Sequence, residues 1–561
     1  MSKRRRDDVQ LDLPPTKRYR DAVTSPLDRL SSLSDELLLH ILSFLPISSL
    51  NVCQRLSRRF HTLAGDSELW KRQYYSQWVR PRARRLANVT RSSLPPKVEY
   101  SPKVSTWLDH SHLAEEGKAT NWKGQYRLRH NWSTGVCRVT EVEFPHPPAP
   151  PVLVKLCAGV VFTADTAHGL RAWYAKDPAY CLAKVPFPKQ PDGEATVCPT
   201  ALAVSQLDGE QEIVVGFDDG HFNRYVFDIE TSRLRLRSDH IGFKDGAITA
   251  IALSSPYLLI VSQHKSLSLY NLRVSSHVSE KTGEATKLRK LASLDAANMV
   301  APMTLSLRTS GLEIVATIVY SFFHIGCGWS LGIQELRFNQ NGQQLESRLA
   351  STVDSQYGAM QSRGRTASRI RRHSMGADPS DGNIAAAPVA PSIVHPRPPT
   401  SMSYSHPYLL TSHADNTLTM YLVVSDHHRL FVRGGQRLWG HTSSVSAVQV
   451  TNRGKAVSVS SRGDEIRIWE LEPAVRSLGS RQLLQEENSI QVNPENKDRD
   501  ESELDSAPRS LRGDLSDSGL DTGTPDEVSV MHGCVGFDDE RVLLLREKTV
   551  GTQLLECYDF T

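Results

Sequence analysis

Two periodicities divide the chain. From Leu33 to Leu45 the apolar residues Leu37, Leu38, Ile41, Leu42, Phe44 and Leu45 recur at helical spacing, and at about 100° per residue they spread over one broad face while Leu39 points away. Ser34 stands at the N-cap position, Asp35 and Glu36 fall in the first turn where the helix dipole favours acids, and Pro46 predicts a helix end at Leu45. A short helix with that much apolar surface in a small helical module is expected to meet a partner. From residue 136 onward the pattern changes to short alternating or wholly apolar runs between turn residues. These runs, at 159–173, 200–227, 247–272, 313–338, 403–424 and 438–471, predict an all-β repeat protein with more than one strand in each.

The helical segment continues through Leu50, Val52, Cys53, Leu56 and Phe60 to Leu63, Ala64, Leu69 and Trp70. Its L-x-x-E-L opening at Leu33, the V-C-x-x-L-S-R-x-F run from Val52 to Phe60 and the closing Leu-Trp resemble an F-box, the module that docks a substrate adaptor onto the SCF class of ubiquitin ligases. Ser34 stands where F-boxes usually carry proline, supplying a cap in place of a preset backbone angle. The segment from Trp122 to Gly135 resembles the joint that precedes the propeller in F-box/WD-repeat adaptors. Leu438-Trp439-Gly440-His441, followed by apolar alternation and Trp469, resembles a WD repeat.

The resemblance implies a set of roles. Leu33, Leu37, Leu38, Ile41, Leu42, Leu45, Leu50, Val52, Cys53, Leu56 and Phe60 would bind the SCF linker subunit and, through it, the cullin scaffold. His441, Ser460, Asp464 and Trp469 would tie one blade together, although the turn aspartate of such a repeat falls at Gly463 here, with Asp464 one place later. Other repeats diverge further, and 165–173 and 218–227 keep only a turn-then-aromatic rhythm. Arg462 lies where phosphate-reading arginines occur in the family, a role suited to a bidentate guanidinium, but Ser446 replaces the companion arginine.

The expected architecture is therefore α plus all-β. A disordered basic tail over 1–26 and an F-box over 27–75 precede a helical, basic linker over 76–120 and a WD-repeat-like β-propeller over 121–561. At about 40–45 residues per repeat the ordered residues fill about seven blades. Inserts at 355–401 and 485–527 lack periodic apolar residues and are expected to be disordered, the first basic and the second acidic.

Length and composition narrow the function. The 561 residues are too many for one ordinary domain, and the net charge of +4 is small for that size. The eight cysteines include no C-x-x-C pair, and no apolar signal segment is expected at the start, so a reducing compartment is expected and a zinc-bound RING is not. The apolar run 314–329 falls short of the roughly 20 residues of a membrane span. Gly328-Trp329-Ser330-Leu331-Gly332 matches a hydrolase nucleophile elbow, but that elbow needs a strand, a turn and a helix, and this one lies among β runs.

Lys3–Arg6 and Lys17–Arg20 form two basic clusters that suggest an import receptor and a nuclear protein, present in the cytoplasm as well. Nucleic-acid binding is not expected, because the tail lacks a folded platform on which to stack bases. Ser374, Ser518, Thr522 and Thr524 are candidate phosphosites, Ser518 and Thr522 lying in a segment that resembles a phosphodegron. The expected function is a non-catalytic substrate adaptor of an SCF-type ubiquitin ligase, without metal or cofactor, whose propeller binds an unknown protein substrate, phosphorylated or not. The alternative is a nuclear propeller scaffold outside any ligase.

Overall fold

Helix α1 spans Asp35–Leu42 and stops short of the expected Leu45. The Ser43 hydroxyl donates to the His40 carbonyl, and the amides of Phe44 and Leu45 donate to Ile41 and Leu42, so the chain tightens into a turn before the proline. Pro46 instead caps the start of α2, Ile47–Cys53. Ser34 does occupy the N-cap of α1, but its side chain makes no capping hydrogen bond. Helix α3 (Arg58–Ala64) is capped by Ser57, whose hydroxyl accepts from Phe60 N at 3.2 Å, and α4 (Ser67–Tyr74) by Asp66, which accepts from Glu68 N at 2.9 Å.

The computed structural model of the protein describes residues 30, 32–81, 120–145, 152–187, 197–207, 209–240, 246–273, 288–295, 300–354, 393–426, 429–463, 465–472, 489–494, 530–549 and 552–561. The chain divides into two compact units, Met1–Pro95 with His110–Tyr126, and Pro96–Asp109 with Arg127–Thr561. Helix α5 (Trp122–Thr134) contributes its first residues to the former and the rest to the latter.

In the first unit, Leu38, Leu42, Leu50, Phe60, Leu63, Ala64 and Leu69 form the core, with Leu33, Leu39, Leu45 and Cys53 packed half-buried around it. Leu39 thus turns toward the core, contrary to the helical-wheel expectation, because α1 is covered on more than one side. A second cluster joins Trp70, Trp122 and Tyr126. Trp70 Nε1 donates to Ala64 O at 2.9 Å, so the buried indole keeps its hydrogen bond.

The second unit is a seven-bladed β-propeller. Its described residues form seven sheets: six of four strands, covering 153–185, 199–240, 248–295, 300–351, 401–438 and 445–491, and a seventh built from 530–559 together with Val136–Pro145. In the seventh, Val136–Pro145 pairs antiparallel with Thr552–Asp559, from Arg138 opposite Asp559 to Pro145 opposite Thr552. The first strands of successive blades touch around the ring, and Val530–Phe537 of blade 7 returns to Leu153–Cys157 of blade 1.

The core is one apolar cluster per blade interface. Val161 packs with blade 7 residues Leu543 and Leu555, whereas its neighbour Phe162 packs with Ile213 and Phe227 of blade 2. Successive side chains of a strand point to opposite faces, and both faces are covered, so the second strands read as unbroken apolar runs. At the 6/7 interface Trp132 of α5 joins the cluster. It stacks on Phe560 at 4.1 Å between ring centroids and donates from Nε1 to Asp539 O at 2.8 Å, while Lys455 Nζ stands 3.5 Å over its ring.

Parts of both ranges expected as inserts carry structure. Ser489–Gln491 is the outer strand of blade 6, and Val492 is buried, because the Ile490/Val492 alternation suffices to fill one edge. Within 393–401, His395 and Pro399 are buried. The His395 ring is stacked on His413 at 3.8 Å, with its Nε2 3.3 Å from Thr419 Oγ1.

Burial, aided by Arg437, holds the His395 pKa down to about 4, and burial, aided by His395, holds that of His413 down to about 3, with Asp415 opposing in both cases. These values lie below those of the unfolded chain, so the unfolded state takes up protons first and stability is lost as pH falls from about 6.5 toward 4 and below. Urea midpoints measured across that range are expected to fall with pH, and less steeply in His413→Asn. Trp132→Ala is expected to cost about 3–5 kcal/mol in the same assay.

Candidate functional site

The expected linker-binding residues separate into two groups. Leu38, Leu42, Leu50 and Phe60 are core, and Leu33, Leu45 and Cys53 are half-buried against it, so their first duty is to hold the module together. Leu37, Ile41, Val52 and Leu56 are exposed, and Phe44, absent from the expected binding set, is exposed with them. On α1 and the turn that follows, Leu37 (53 % exposed), Ile41 (42 %) and Phe44 (68 %) recur at helical spacing as one stripe. Val52 and Leu56 extend the apolar surface over the end of α2 and beyond.

The stripe is held by polar contacts at both ends. Arg59 donates to Asp35 Oδ1 through Nε and Nη2, at 2.9 and 2.6 Å, and to Leu33 O at 2.7 Å, fixing the start of α1. Arg72 donates to Ser43 Oγ at 2.9 Å and lies 5.7 Å from the Phe44 ring centroid, and Gln73 donates to Leu45 O at 3.1 Å. The arginine contacts are exposed and individually weak. They set direction more than stability.

In blade 6 the structural constellation is His441, Ser458 and Trp469. The His441 ring Nε2 is 2.6 Å from Ser458 Oγ, which accepts from Trp469 Nε1 at 2.8 Å, and all three residues are buried. The expected Ser460 shares that strand face but lies nearer the turn, where its hydroxyl accepts from Glu465 N at 3.1 Å. The register explains the shift: Ser458 opposes Arg467, and Ala456 opposes Trp469, so the indole reaches diagonally to the serine. Asp464 lies outside the described residues. The acid is Glu465, 3.3 Å from His441 Nδ1, accepting from Thr442 N at 2.9 Å and Arg467 Nε at 2.5 Å. Burial works to raise the Glu465 pKa, but the Thr442 and Arg467 hydrogen bonds and His441 bring it below the ordinary value.

Blade 1 repeats the arrangement. Trp173 Nε1 donates to Thr163 Oγ1 at 2.8 Å, and buried Asp165 accepts from Arg171 at 2.7 Å. The shared signal is Arg-x-Trp opposite a serine or threonine, which the rhythm at 165–173 already contains. Buried acid–arginine pairs recur at Arg224–Glu212, Arg337–Glu335 and Arg546–Glu556. Breaking one strands a buried charge.

Arg462 is exposed on the turn between the second and third strands of blade 6. Ser446, at the companion position, directs its hydroxyl to the carbonyls of Val459 and Ser460 at 3.4 and 3.3 Å. These two positions therefore do not form an arginine pair. Ser374, Ser518, Thr522 and Thr524, the basic tail, and 82–119 of the linker lie outside the described residues. Gly328–Asn339 is one continuous strand, and Ser330 is buried with its hydroxyl 3.3 Å from Gly328 O, so no nucleophile elbow forms there. Among the described residues no helix is long and apolar enough to cross a membrane.

Comparison with known proteins agrees with both units. Residues 30–76 match the F-box-like family, and residues 137–561 match the family described as F-box protein pof12 beta-propeller. The chain belongs to this F-box/propeller family. It is 23 % identical over 459 residues to F-box protein pof12 of Schizosaccharomyces pombe, covering 79 % of this chain and 84 % of that protein. Among solved structures it is similar to the RRP9 WD40 repeats, at 10 % identity and a TM-score of 0.35 over 74 % of this chain and 99 % of that one. It is likewise similar to U3-55K, at 10 % identity and a TM-score of 0.36 over 73 % and 99 %.

Ser458→Ala removes the acceptor of a buried indole N–H and is expected to destabilise the propeller by about 1–3 kcal/mol, read by chemical denaturation.

Proposed function

We propose that the chain is the substrate-recognition adaptor of an SCF-type ubiquitin ligase, its F-box bound to the linker subunit and its propeller to a protein substrate. The observation that carries this reading is the exposed stripe of Leu37, Ile41 and Phe44, continued by Val52 and Leu56, on a module whose own core is already filled. A small folded unit gains nothing by leaving five large apolar side chains in water unless another surface covers them. Covering each is worth at most about 1.5–3 kcal/mol. That sum is of the order of the roughly 4–15 kcal/mol cost of association, so a specific complex needs most of the stripe.

The contribution to ubiquitin transfer is positioning: holding substrate and a ubiquitin-loaded enzyme in one complex raises their effective concentration, and no side chain of the adaptor enters the chemistry. The basic clusters Lys3–Arg6 and Lys17–Arg20 support import into the nucleus by a receptor.

The test is binding of the purified linker subunit to the wild-type chain and to a Leu37→Ala, Ile41→Ala, Phe44→Ala variant. All three side chains are exposed, so the variant is expected to keep its circular dichroism and thermal midpoint while binding falls by about a hundredfold. A folded wild-type chain that does not bind the linker subunit would overturn the proposal in favour of a scaffold outside the ligase.

A further inference from the structure

The outer strands of neighbouring blades finish each interface at the circumference. Between blades 1 and 2, Leu182 and Val185 of Asp177–Val185 and Leu234 of Arg233–His240 all pack against the shared apolar cluster. The interface of blades 4 and 5 is built differently. Gln344–Ser351 supplies only Ala350 to that cluster, and Leu430–Leu438 supplies Leu430 and Val432 before it reaches Gly434 and Gly435. The volume that larger side chains would fill is a groove of about 360 Å³. Ala350, Ser351 and Asp354 line one side of it, and Leu430, Val432 and Gly434 the other.

The two glycines sit in a bulge, since Met420 pairs with Gln436 and Leu422 with Arg433, leaving Tyr421 opposite both. Their reasons for being glycine differ. A Cβ at Gly435 would lie 2.6 Å from Tyr421 Cε1 and 3.1 Å from Ile393 Cδ1, so the Ile393 side chain lies over a position that only glycine can fill. Gly434 has no positive φ, and a Cβ there would meet nothing within 4 Å. No described contact therefore calls for glycine at 434, whereas a chain passing close over it would.

The chain leaves the described residues at Asp354 and re-enters them at Ile393. Both points belong to this groove: Asp354 lines it, and Ile393 lies over Gly435 at its end. Asp354 is held there by Ser351, whose hydroxyl donates to its carboxylate at 2.8 Å. Beyond Ile393 the chain is held by Arg437, which donates to Val394 O at 3.0 Å. Immediately before Ile393 the sequence reads Pro388-Val389-Ala390-Pro391-Ser392, small and apolar with no charge.

We propose that residues 388–392 of this same chain dock in the groove as an extended segment, running back from Ile393 past Gly434 toward Leu430 and setting Val389 against Ala350 and Val432. The lengths agree: five extended residues span about 16 Å, as do the five strand steps from Gly435 to Leu430. Pro388 and Pro391 fix their own backbone angle and bias Ala387 and Ala390 toward extended geometry, so little freedom is lost on docking. The tether decides the occupant. A segment that ends on an anchored Ile393 competes at an effective concentration of about millimolar, an advantage that neither a second copy nor a separate partner has. Docking covers the free outer edge against pairing with another chain and fastens one end of the basic 355–392 excursion to the side of the propeller. The inference is independent of the adaptor reading.

The test is alkylation of Gly434→Cys in the full-length chain by N-ethylmaleimide, followed residue by residue with peptide mass spectrometry. The introduced thiol is expected to react slowly beside the native segment, and about tenfold or more faster when Pro388→Ser, Val389→Asp and Pro391→Ser are added. Leu345→Cys, 52 % exposed on the same outer strand as Ala350 and outside the groove, is expected to react at one rate in both backgrounds. Hydrogen exchange over 430–434 makes the same comparison in chains that keep Gly434, and is expected to quicken with the three substitutions. Fast reaction at 434 beside the native segment, with exchange over 430–434 unaltered by the substitutions, overturns the proposal. Slow reaction at 434 that survives the substitutions overturns it too, as does a change at 345 as large as that at 434. Protection lost on dilution identifies a second copy as the occupant and equally overturns it.

Discussion

The pairing of Val136–Pro145 with Thr552–Asp559 closes the propeller, and every blade interface depends on it. An open ring would leave two sheet edges with unpaired backbone groups and an uncovered face on each terminal blade. Closure instead makes the seven apolar clusters continuous around the ring, so each sheet is covered on both faces. Because the first strand of the unit is used to finish the last blade, chain added elsewhere must leave from loops. In sequence, residues 355–392 and 495–529 fall between blade strands, where added length does not interrupt the pairing.

Helix α5 reads directly into the closing strand, and its last turns are fastened where the ring is sealed. Asn131 donates to Phe560 O at 2.9 Å, Arg129 pairs with Glu470 at 2.5 Å, and Trp132 stacks on Phe560. A hydrogen bond to a backbone carbonyl, an ion pair and a stacked aromatic pair thus hold these last turns against the propeller. The opposite rim carries the turns between second and third strands and the connections between blades, which are free to vary because the interface clusters, together with the buried acid–arginine pairs, already specify the sheets. That division separates what holds the propeller together from what it presents to a partner.

Much of this was legible in the sequence, and the departures have physical causes. The second and third strands were visible as apolar runs because both faces are buried, but Ser489–Gln491 was hidden in an acidic stretch, since an edge strand needs only Ile490 and Val492 to hold it. Pro46 marked a boundary correctly and was assigned to the wrong helix, because the Ser43 hydroxyl and a tightened turn had already ended α1. The helical wheel merged two surfaces: Leu38 and Leu42 face the core, and Leu37, Ile41 and Phe44 face outward, a distinction that requires knowing where α3 packs. Ser458 and Ser460 lie on one strand face, so only the register against Trp469 decides between them. Nothing in composition marked His395 as buried, because its partners His413 and Thr419 come from a different part of the blade.

The central claim is that the folded chain offers the outward face of its F-box to a linker subunit while the propeller remains available to a substrate. Hydrogen–deuterium exchange on the full chain, with and without the purified linker subunit, addresses it directly. The account predicts added protection over residues 35–56 and unchanged exchange in the strands of all seven blades. Unchanged exchange over 35–56 at saturating linker subunit, or protection confined to the propeller, would contradict it.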